Sequence, residues 1–351
     1  MKLEESAHPD FGKSSLVRRK PIKVLPDSLV KANYFNEEEK FPLILQPGIE
    51  EISLASWALN NREMLEARLI EHGAVLFRGF NINSASRFEE FARSITPQLL
   101  DYRERAAPRT AVGNNIYTST EYPADRFIHL HHEMSYSHNW PMKIWFYCDL
   151  PAQQGGRTPI ADDRKVITLI DPAIKERFVK KKVMYIRNYG EGVDLSWQNA
   201  FQCTERAAVE EYCRAFGIEY EWRSADRLRT RQIRQAIAVH PVTGETVWFN
   251  HAHLFHWSSL EPQVAESLLE QFDEDELPRN AFYGDGLPID PSVLEEIREI
   301  YRRSSVVFDW QKGDILMVDN FLTSHGREPY IGERKILVAM AELYTNTEVL
   351  G

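Results

Sequence analysis

The chain has 351 residues, of which 43% are hydrophobic, and a formal net charge of −10 at pH 7. This length can bury a sizeable core as one large domain or two ordinary ones, and the composition excludes a disordered or fibrous chain. The acidic balance leaves no general basic surface for a phosphate backbone, and local runs such as Lys180-Lys181-Lys182 and Arg302-Arg303 read as solvated helix ends, so no nucleic-acid partner is expected.

Residues 1 to about 50 are mixed and interrupted by proline, and read as a partly extended lead-in segment. The stretch EISLASWALNNREMLEARLIEHG predicts one helix with Leu65 and Leu69 on its apolar face, closed by Gly73 at the C′ position. AVLFRGF follows as a strand, and Ser86 with Glu89 offers a capping box for the helix SRFEEFARSI. Asp171-Pro172 and Asp290-Pro291 each place an N-cap side chain before a proline at the first helical position. The second opens a helix with Val293, Leu294, Ile297, Ile300 and Tyr301 on one face.

Between these helices lie KIWFYCDL, RTPIAD, KVMYIRNY, QAIAVH, TVWFN, SVVFDW, DILMVDN and KILVAMAELY, rich in β-branched and aromatic residues and punctuated by Gly, Pro, Asp and Asn. They read as strands of an antiparallel core, with HPVTGETVWFN as a hairpin turning near Thr243-Gly244-Glu245. No internal repeat or low-complexity block interrupts the pattern. The fold expected is mainly β with α, a sandwich or jelly roll (double-stranded β-helix) core surrounded by helices, with residues 51–351 as a single domain.

Three cysteines, Cys148, Cys203 and Cys213, show no C-x-x-C spacing and cannot all pair with one another, which fits a reducing cytoplasm. The opening MKLEESAHPDFGKSS has no apolar h-region, and no apolar run approaches the length of a bilayer. A soluble, unprocessed protein without membrane contact is expected.

The segment RFIHLHHEMSYSHNW, residues 126–140, concentrates four histidines and one carboxylate. On a strand His131 and Glu133 share a face while His132 points the other way, so His131-x-Glu133 is a two-ligand clip that His129 could extend. A histidine beside an acid is more often an ordinary hydrogen-bonded pair. The reading strengthens in WQKGDILMVDNFLTSHGREPYIGERKILVAM, where His325 follows a strand ending at Asp319-Asn320. A distant histidine brought to a His-x-Glu clip makes a two-histidine, one-carboxylate facial triad with open coordination positions. Such a set suits Fe(II), and equally a catalytic zinc with one water. An oxygenase that draws electrons from 2-oxoglutarate needs a buried arginine for the distal carboxylate and a hydroxyl donor. Arg334 and Thr158 are the candidates, with a surface pair to Glu333 as the plain alternative for Arg334.

Taken together, TSTEYP, LHHEMSYS, WFYCDLPAQQGGRTPIAD, HPVTGETVWFN and VDNFLTSHGREPYIGERKILVAM resemble the TauD/TfdA, or clavaminate synthase-like, family of Fe(II)/2-oxoglutarate-dependent dioxygenases. The likeness is nearest to its amino-acid-hydroxylating, SyrP-like branch, and runs from HGAVLFRGF near residue 70 to near the C-terminus. The resemblance implies His131, Glu133 and His325 as iron ligands, and Thr158 and Arg334 as partners of the 2-oxoglutarate carboxylates. It also implies Fe(II), 2-oxoglutarate and O2 as cofactor and co-substrates, with no catalytic residue beyond the metal centre. Halogenating members replace the carboxylate ligand with a small residue, so Glu133 disfavours halogenation.

The reaction so implied is hydroxylation of an unactivated C–H bond in an amino acid or amino-acid-derived small molecule, free or presented by a carrier protein, during natural-product assembly. Desaturation or cyclisation by the same chemistry is the alternative outcome, and a metal-dependent hydrolase or a non-catalytic sugar- or metal-binding β-sandwich are the alternative classes. For substrate contacts the candidates are Asn250, Tyr122 and Arg327, with Arg187, Glu121 and Asp194 as further charges and Trp197 as a wall. In FNHAHLFH, His251 stands where relatives often carry an amide; His251 and His253 on a strand would share a face, but with His256 they read as pocket lining or hydrogen-bonding residues. His132 reads as a packing or supporting residue, and His72 and His138 as ordinary ones. Oligomeric state is not legible in the sequence.

Overall fold

The computed structural model of the protein describes residues 29–346, except 103, 105, 191–194 and 225–226. Its centre is an eight-stranded sheet in the order Val30–Tyr34, Leu43–Pro47, Ala74–Phe77, Ile315–Asp319, Asn139–Leu150, Lys335–Thr345, Ile116–Thr118 and Ala111–Gly113. All neighbouring pairs are antiparallel except Leu43–Pro47 with Ala74–Phe77. Two strands of this sheet thus come from the segment read as a lead-in, where Leu43, Ile44 and Leu45 are all buried.

Side chains alternate across the sheet as a period of two demands. Val75, Phe77, Trp145, Tyr147, Ile315, Met317, Leu337 and Ala339 face one apolar cluster, which three helices cover: Leu54–Asn60, Arg62–His72 and Ala85–Ile95. Leu76, Ile144, Phe146, Leu316, Val318, Val338 and Met340 face the other cluster. On that side lies a three-stranded sheet, Ile128–His131, Thr323–Arg327 and Ile160–Asp162. A four-stranded sheet, Glu219–Trp222, Leu228–Arg234, Val183–Tyr189 and Arg279–Tyr283, completes the larger β structure. The fold is a mixed α/β arrangement with many strands.

Local signals account for most element ends. Gly73 closes its helix in the left-handed region at φ 72°. Asp171 and Asp290 cap their proline-started helices by accepting from Ala173 N and Ser292 N. The hairpin Ile237–Val239 with Thr246–Trp248 forms as expected, with Gly244 at φ 73°. Three expectations differ. The helix read over residues 51–73 is two, because Asn61 leaves helical geometry at φ −124°, ψ 23°. The cap of the helix Ala85–Ile95 is Ser84, whose hydroxyl accepts from Arg87 N, rather than Ser86. SVVFDW is not a strand: only Val306 makes a bridge, to Ile160, while Phe308 and Trp310 turn into the core. Among the described residues no helix is long and apolar enough to cross a membrane.

Candidate metal centre

The strands Ile128–His131 and Thr323–Arg327 pair antiparallel with His325 opposite His131. The chain leaves the strand after His131, and Glu133 lies in the turn that follows, with Met134 at φ 60°. One ligating atom each from His131, Glu133 and His325 lie within 4.8 Å of one another. Glu133 and His325 are buried, at 3% and 5% exposure, and His325 Nε2 is 4.0 Å from Glu133 Oε2. The Phe146 ring, 4.8 Å from that of His325, carries the large sheet up to the cluster.

The imidazoles are prepared as neutral donors. His131 Nδ1 is 2.8 Å from the His129 carbonyl; donation of its N–H there leaves the Nε2 lone pair available. Burial pushes the His131 pKa below its ordinary value, and that of His325 well below it. Two neutral imidazoles and a carboxylate in one buried cluster are a donor set that fits a ferrous ion.

Asn320 fixes the third donor. Fully buried, it accepts from Glu133 N at 2.8 Å and donates to the Glu133 and Pro141 carbonyls at 3.0 and 2.8 Å. The neighbouring Asp319 accepts from Phe321 N and Leu322 N, shaping the turn that leads to His325. His132, on the opposite face, lies 3.2 Å from Asp163 Oδ2 and packs on Phe249. Asp163 in turn accepts from Ser324 N and Tyr301 Oη, so this acid ties together the strands on either side of the cluster. Sequence reading passed over Asn320 and Asp163, whose partners in all five of these hydrogen bonds lie well over a hundred residues away.

Two cavities meet at the cluster. The smaller holds Thr158, His131, His325, Arg327 and Arg334 among its lining. Arg334 Nε donates to the Gly156 carbonyl at 2.8 Å, and its Nη2 is 3.5 Å from Thr158 Oγ1, which also accepts from Trp310 Nε1 at 3.0 Å. Among the described residues no carboxylate pairs with Arg334, so a surface pair with Glu333 does not form. Burial lowers its pKa to about 10.

The larger cavity, of about 300 Å³, is walled mainly by aromatic and aliphatic side chains and reaches His131, Glu133, Tyr122 and His251. Asn250, expected as a substrate contact, lines neither cavity: its amide donates to the Ala236 carbonyl and its Oδ1 accepts from Ala252 N. The oxygen end of that amide holds the start of the short helix Ala252–Phe255, and the nitrogen end ties it to the segment before the strand Ile237–Val239. Arg327 lines the smaller cavity, not the larger, and clamps a loop by donating to the carbonyls of Tyr122, Pro123 and Arg126. His251 and His253 belong to this helical turn rather than to a strand; His251 Nδ1 is 2.6 Å from Ser135 Oγ, and His253 Nε2 is 2.7 Å from the Leu130 carbonyl. Arg187 lies buried against Tyr136 and Tyr189, Trp197 packs in a separate core cluster, and Glu121 accepts from Thr110 and Thr118. Asp194 falls outside the described residues.

Comparison with known proteins accords with this geometry. The model of the family described as taurine catabolism dioxygenase TauD, TfdA family, matches residues 39–340. The dapdiamide synthesis protein DdaC of Enterobacter agglomerans is 43% identical over 281 residues, covering 80% of this chain and 85% of that protein. A clavaminate synthase-like protein of Arabidopsis thaliana is 29% identical over 325 residues, covering 87% of this chain and 95% of that one. Among solved structures, PvcB of Pseudomonas aeruginosa superposes with a TM-score of 0.53 at 16% identity, over 92% of this chain and 96% of its own; a further structure of PvcB describes it as an Fe, alpha-ketoglutarate dependent oxygenase. The structural likeness shows a shared fold, and the family match over most of the chain places this protein in the TauD/TfdA family of Fe(II)- and 2-oxoglutarate-dependent dioxygenases.

Proposed function

We propose that this protein hydroxylates an unactivated C–H bond of an amino-acid-derived small molecule in natural-product biosynthesis, with Fe(II) held by His131, Glu133 and His325. The observation that carries the reading is the convergence of these three donors within 4.8 Å where a cavity lined by the partly buried Arg334, which has no carboxylate partner among the described residues, meets a roomier apolar one. When bound, Fe(II) with 2-oxoglutarate and O2 supplies the oxidation, the keto acid leaving as succinate and CO2 while the substrate carbon gains a hydroxyl. Arg334 receives the distal carboxylate of 2-oxoglutarate through its guanidinium, and the Thr158 hydroxyl adds a donor beside it. Phe146, Ile336 and Val338 keep that cavity dry. Tyr122 walls the substrate side.

The arrangement of the three-stranded sheet against the large one supports a double-stranded β-helix core, with the described residues forming one domain. The name of DdaC supports a biosynthetic amino-acid-derived substrate, free or carrier-bound. The absence of paired cysteines among those described supports a cytoplasmic location. The test is anaerobic loading with Fe(II) and 2-oxoglutarate, then exposure to O2 with a panel of free, N-acylated and carrier-bound amino acids. Substrate-dependent succinate release with a product about 16 mass units heavier is expected. A product lighter by two hydrogens would replace hydroxylation with desaturation or cyclisation, and hydrolysis without succinate would overturn the oxygenase reading.

A further inference from the structure

His251 stands just before the short helix Ala252–Phe255 and is 2% exposed. Its backbone N–H donates to Tyr185 Oη at 2.7 Å. Its ring meets those of Tyr136, Phe255 and His131 in T-shaped contacts, with centres 5.0, 5.1 and 5.3 Å away, and such packing fixes the ring's orientation. Nδ1 lies 2.6 Å from Ser135 Oγ. Nε2 has no protein partner among the described residues and, unlike Nδ1 of His253 and of His325, is not sealed off by neighbouring atoms. The ring lines the larger cavity, so Nε2 is the nitrogen it presents there.

The contact with Ser135 decides which nitrogen carries the proton. Ser135 is fully buried, and among the described residues His251 Nδ1 is the one hydrogen-bond partner of its hydroxyl. Were Nδ1 protonated, it would donate to Oγ and leave the hydroxyl proton buried without an acceptor, which is costly. With the hydroxyl donating instead, Nδ1 uses its lone pair, the ring is uncharged and the proton sits on Nε2. The cavity wall beside His131 thus offers a neutral N–H donor whose direction is set before any ligand arrives. Around it the wall is aromatic, formed by Tyr136 and Phe255, and the Tyr136 hydroxyl is committed to the Glu104 carbonyl at 2.6 Å. A neutral donor set in an apolar wall selects an uncharged acceptor. Among these an amide oxygen is stronger than an ester or thioester oxygen, because the amide nitrogen delocalises its lone pair onto it.

We propose that His251 donates through Nε2 to an amide carbonyl of the substrate, and that Ser135 is the positioning residue that keeps the proton on that nitrogen. This inference rests on the oxygenase reading above and specifies its substrate class: a molecule with an amide that seats beside the ligand cluster, such as an N-acylated amino acid. His251 is a specificity-determining residue in this scheme.

The tautomer is read first, from nitrogen–proton correlation spectra of the metal-free protein carrying isotopically labelled histidine, with His251 assigned by its disappearance in His251→Gln. Wild-type protein is expected to show Nε2 protonated and Nδ1 bare, and Ser135→Ala to shift the ring toward the other tautomer. A proton on Nδ1 in the wild type overturns the inference, and an unchanged tautomer in Ser135→Ala removes the role of Ser135. Binding is read next, with N-acetyl-leucine and N-acetyl-phenylalanine, each compared with its N-thioacetyl counterpart, whose sulfur accepts hydrogen bonds poorly. Titrated anaerobically by calorimetry into protein loaded with Mn(II) and 2-oxoglutarate, at least one acetyl compound should bind about fivefold more tightly than its thioacetyl counterpart. His251→Phe, which keeps an aromatic ring, should bring that ratio near unity, while His251→Gln keeps part of it; circular dichroism checks that each folds, and the wild-type comparison stands even if neither does. Equal binding of the two compounds by loaded wild-type protein, or binding of neither, overturns the substrate assignment. Mn(II) binding, followed by its paramagnetic resonance signal, separates the two levels. Failure to bind Mn(II) sinks the metal reading itself, whereas Mn(II) binding without a preference for oxygen over sulfur sinks only the role of His251.

Discussion

Asn320 shows how much of a metal centre rests on a residue that touches no metal. Its amide uses both donors and its acceptor on backbone groups, two of them on either side of Glu133, so the peptide carrying the carboxylate is fixed as firmly as the carboxylate itself. Asn320→Asp preserves shape but removes both N–H donors and turns an acid toward two carbonyls. With each buried unsatisfied group costing about 1–3 kcal/mol, the expected result is loss of at least about tenfold in Mn(II) affinity, measured anaerobically. Arg334 makes the complementary case. Its cation is partly buried without a paired acid among the described residues, with its pKa lowered to about 10 by desolvation, and an incoming dicarboxylate supplies the missing charge. Arg334→Ala should raise the KM for 2-oxoglutarate by at least about tenfold while leaving Mn(II) affinity intact; parallel loss of both would show that Arg334 supports the site in some other way.

At the scale of elements, the centre depends on two short strands lying closer than ordinary side chains permit. Gly326, next to His325, would place a Cβ 2.6 Å from the Ile128 carbonyl and 3.2 Å from Leu130 N. Both are backbone atoms of the strand that ends at His131, so neither can rotate aside. Gly326→Ala should therefore force the His325 strand away from its partner, weakening Mn(II) binding and lowering the thermal midpoint together, whereas Arg334→Ala affects neither. This contrast is read by running both variants through the same metal titration and melting experiment. The His-x-Glu clip and the distant histidine were legible in the sequence because ligand type and spacing are local properties. The close approach at Gly326 was not, since it depends on which strand lies opposite. The same reason hides Asn320 and Arg109, which reach Glu133 from other segments, Arg109 Nη2 donating to Glu133 Oε2 at 2.6 Å. Asn250 misled for the opposite reason: a polar residue after an aromatic strand invites a functional reading, but its amide is used by backbone groups, the Ala236 carbonyl and Ala252 N.

Across the whole molecule, apolar alternation announced most strands, and proline-led caps announced two helices. The order of strands in the sheets was not announced, because alternation specifies a face but not a neighbour. The same burial that builds two facing clusters also encloses histidines far from the metal centre, and this gives the protein a predictable response to acid. Burial lowers His138 and His256 to about 4; His138 stacks on Phe216 with ring centres 3.6 Å apart, and His256 sits within the field of Arg298. In the unfolded chain both titrate near the ordinary value of about 6.5. Above that pH neither state is protonated and these residues leave stability unchanged with pH. As pH falls below about 6.5, the unfolded chain takes up protons that the folded protein refuses until about 4, so stability drops by up to about 1.4 kcal/mol per pH unit for each group. Urea midpoints of the metal-free protein should therefore hold steady from about pH 8 to 7 and fall between about 6.5 and 4.5. His138→Phe, which keeps the stacking on Phe216 and removes one titrating ring, should make that fall shallower; an unchanged slope would mean that His138 is protonated in the folded state despite its burial.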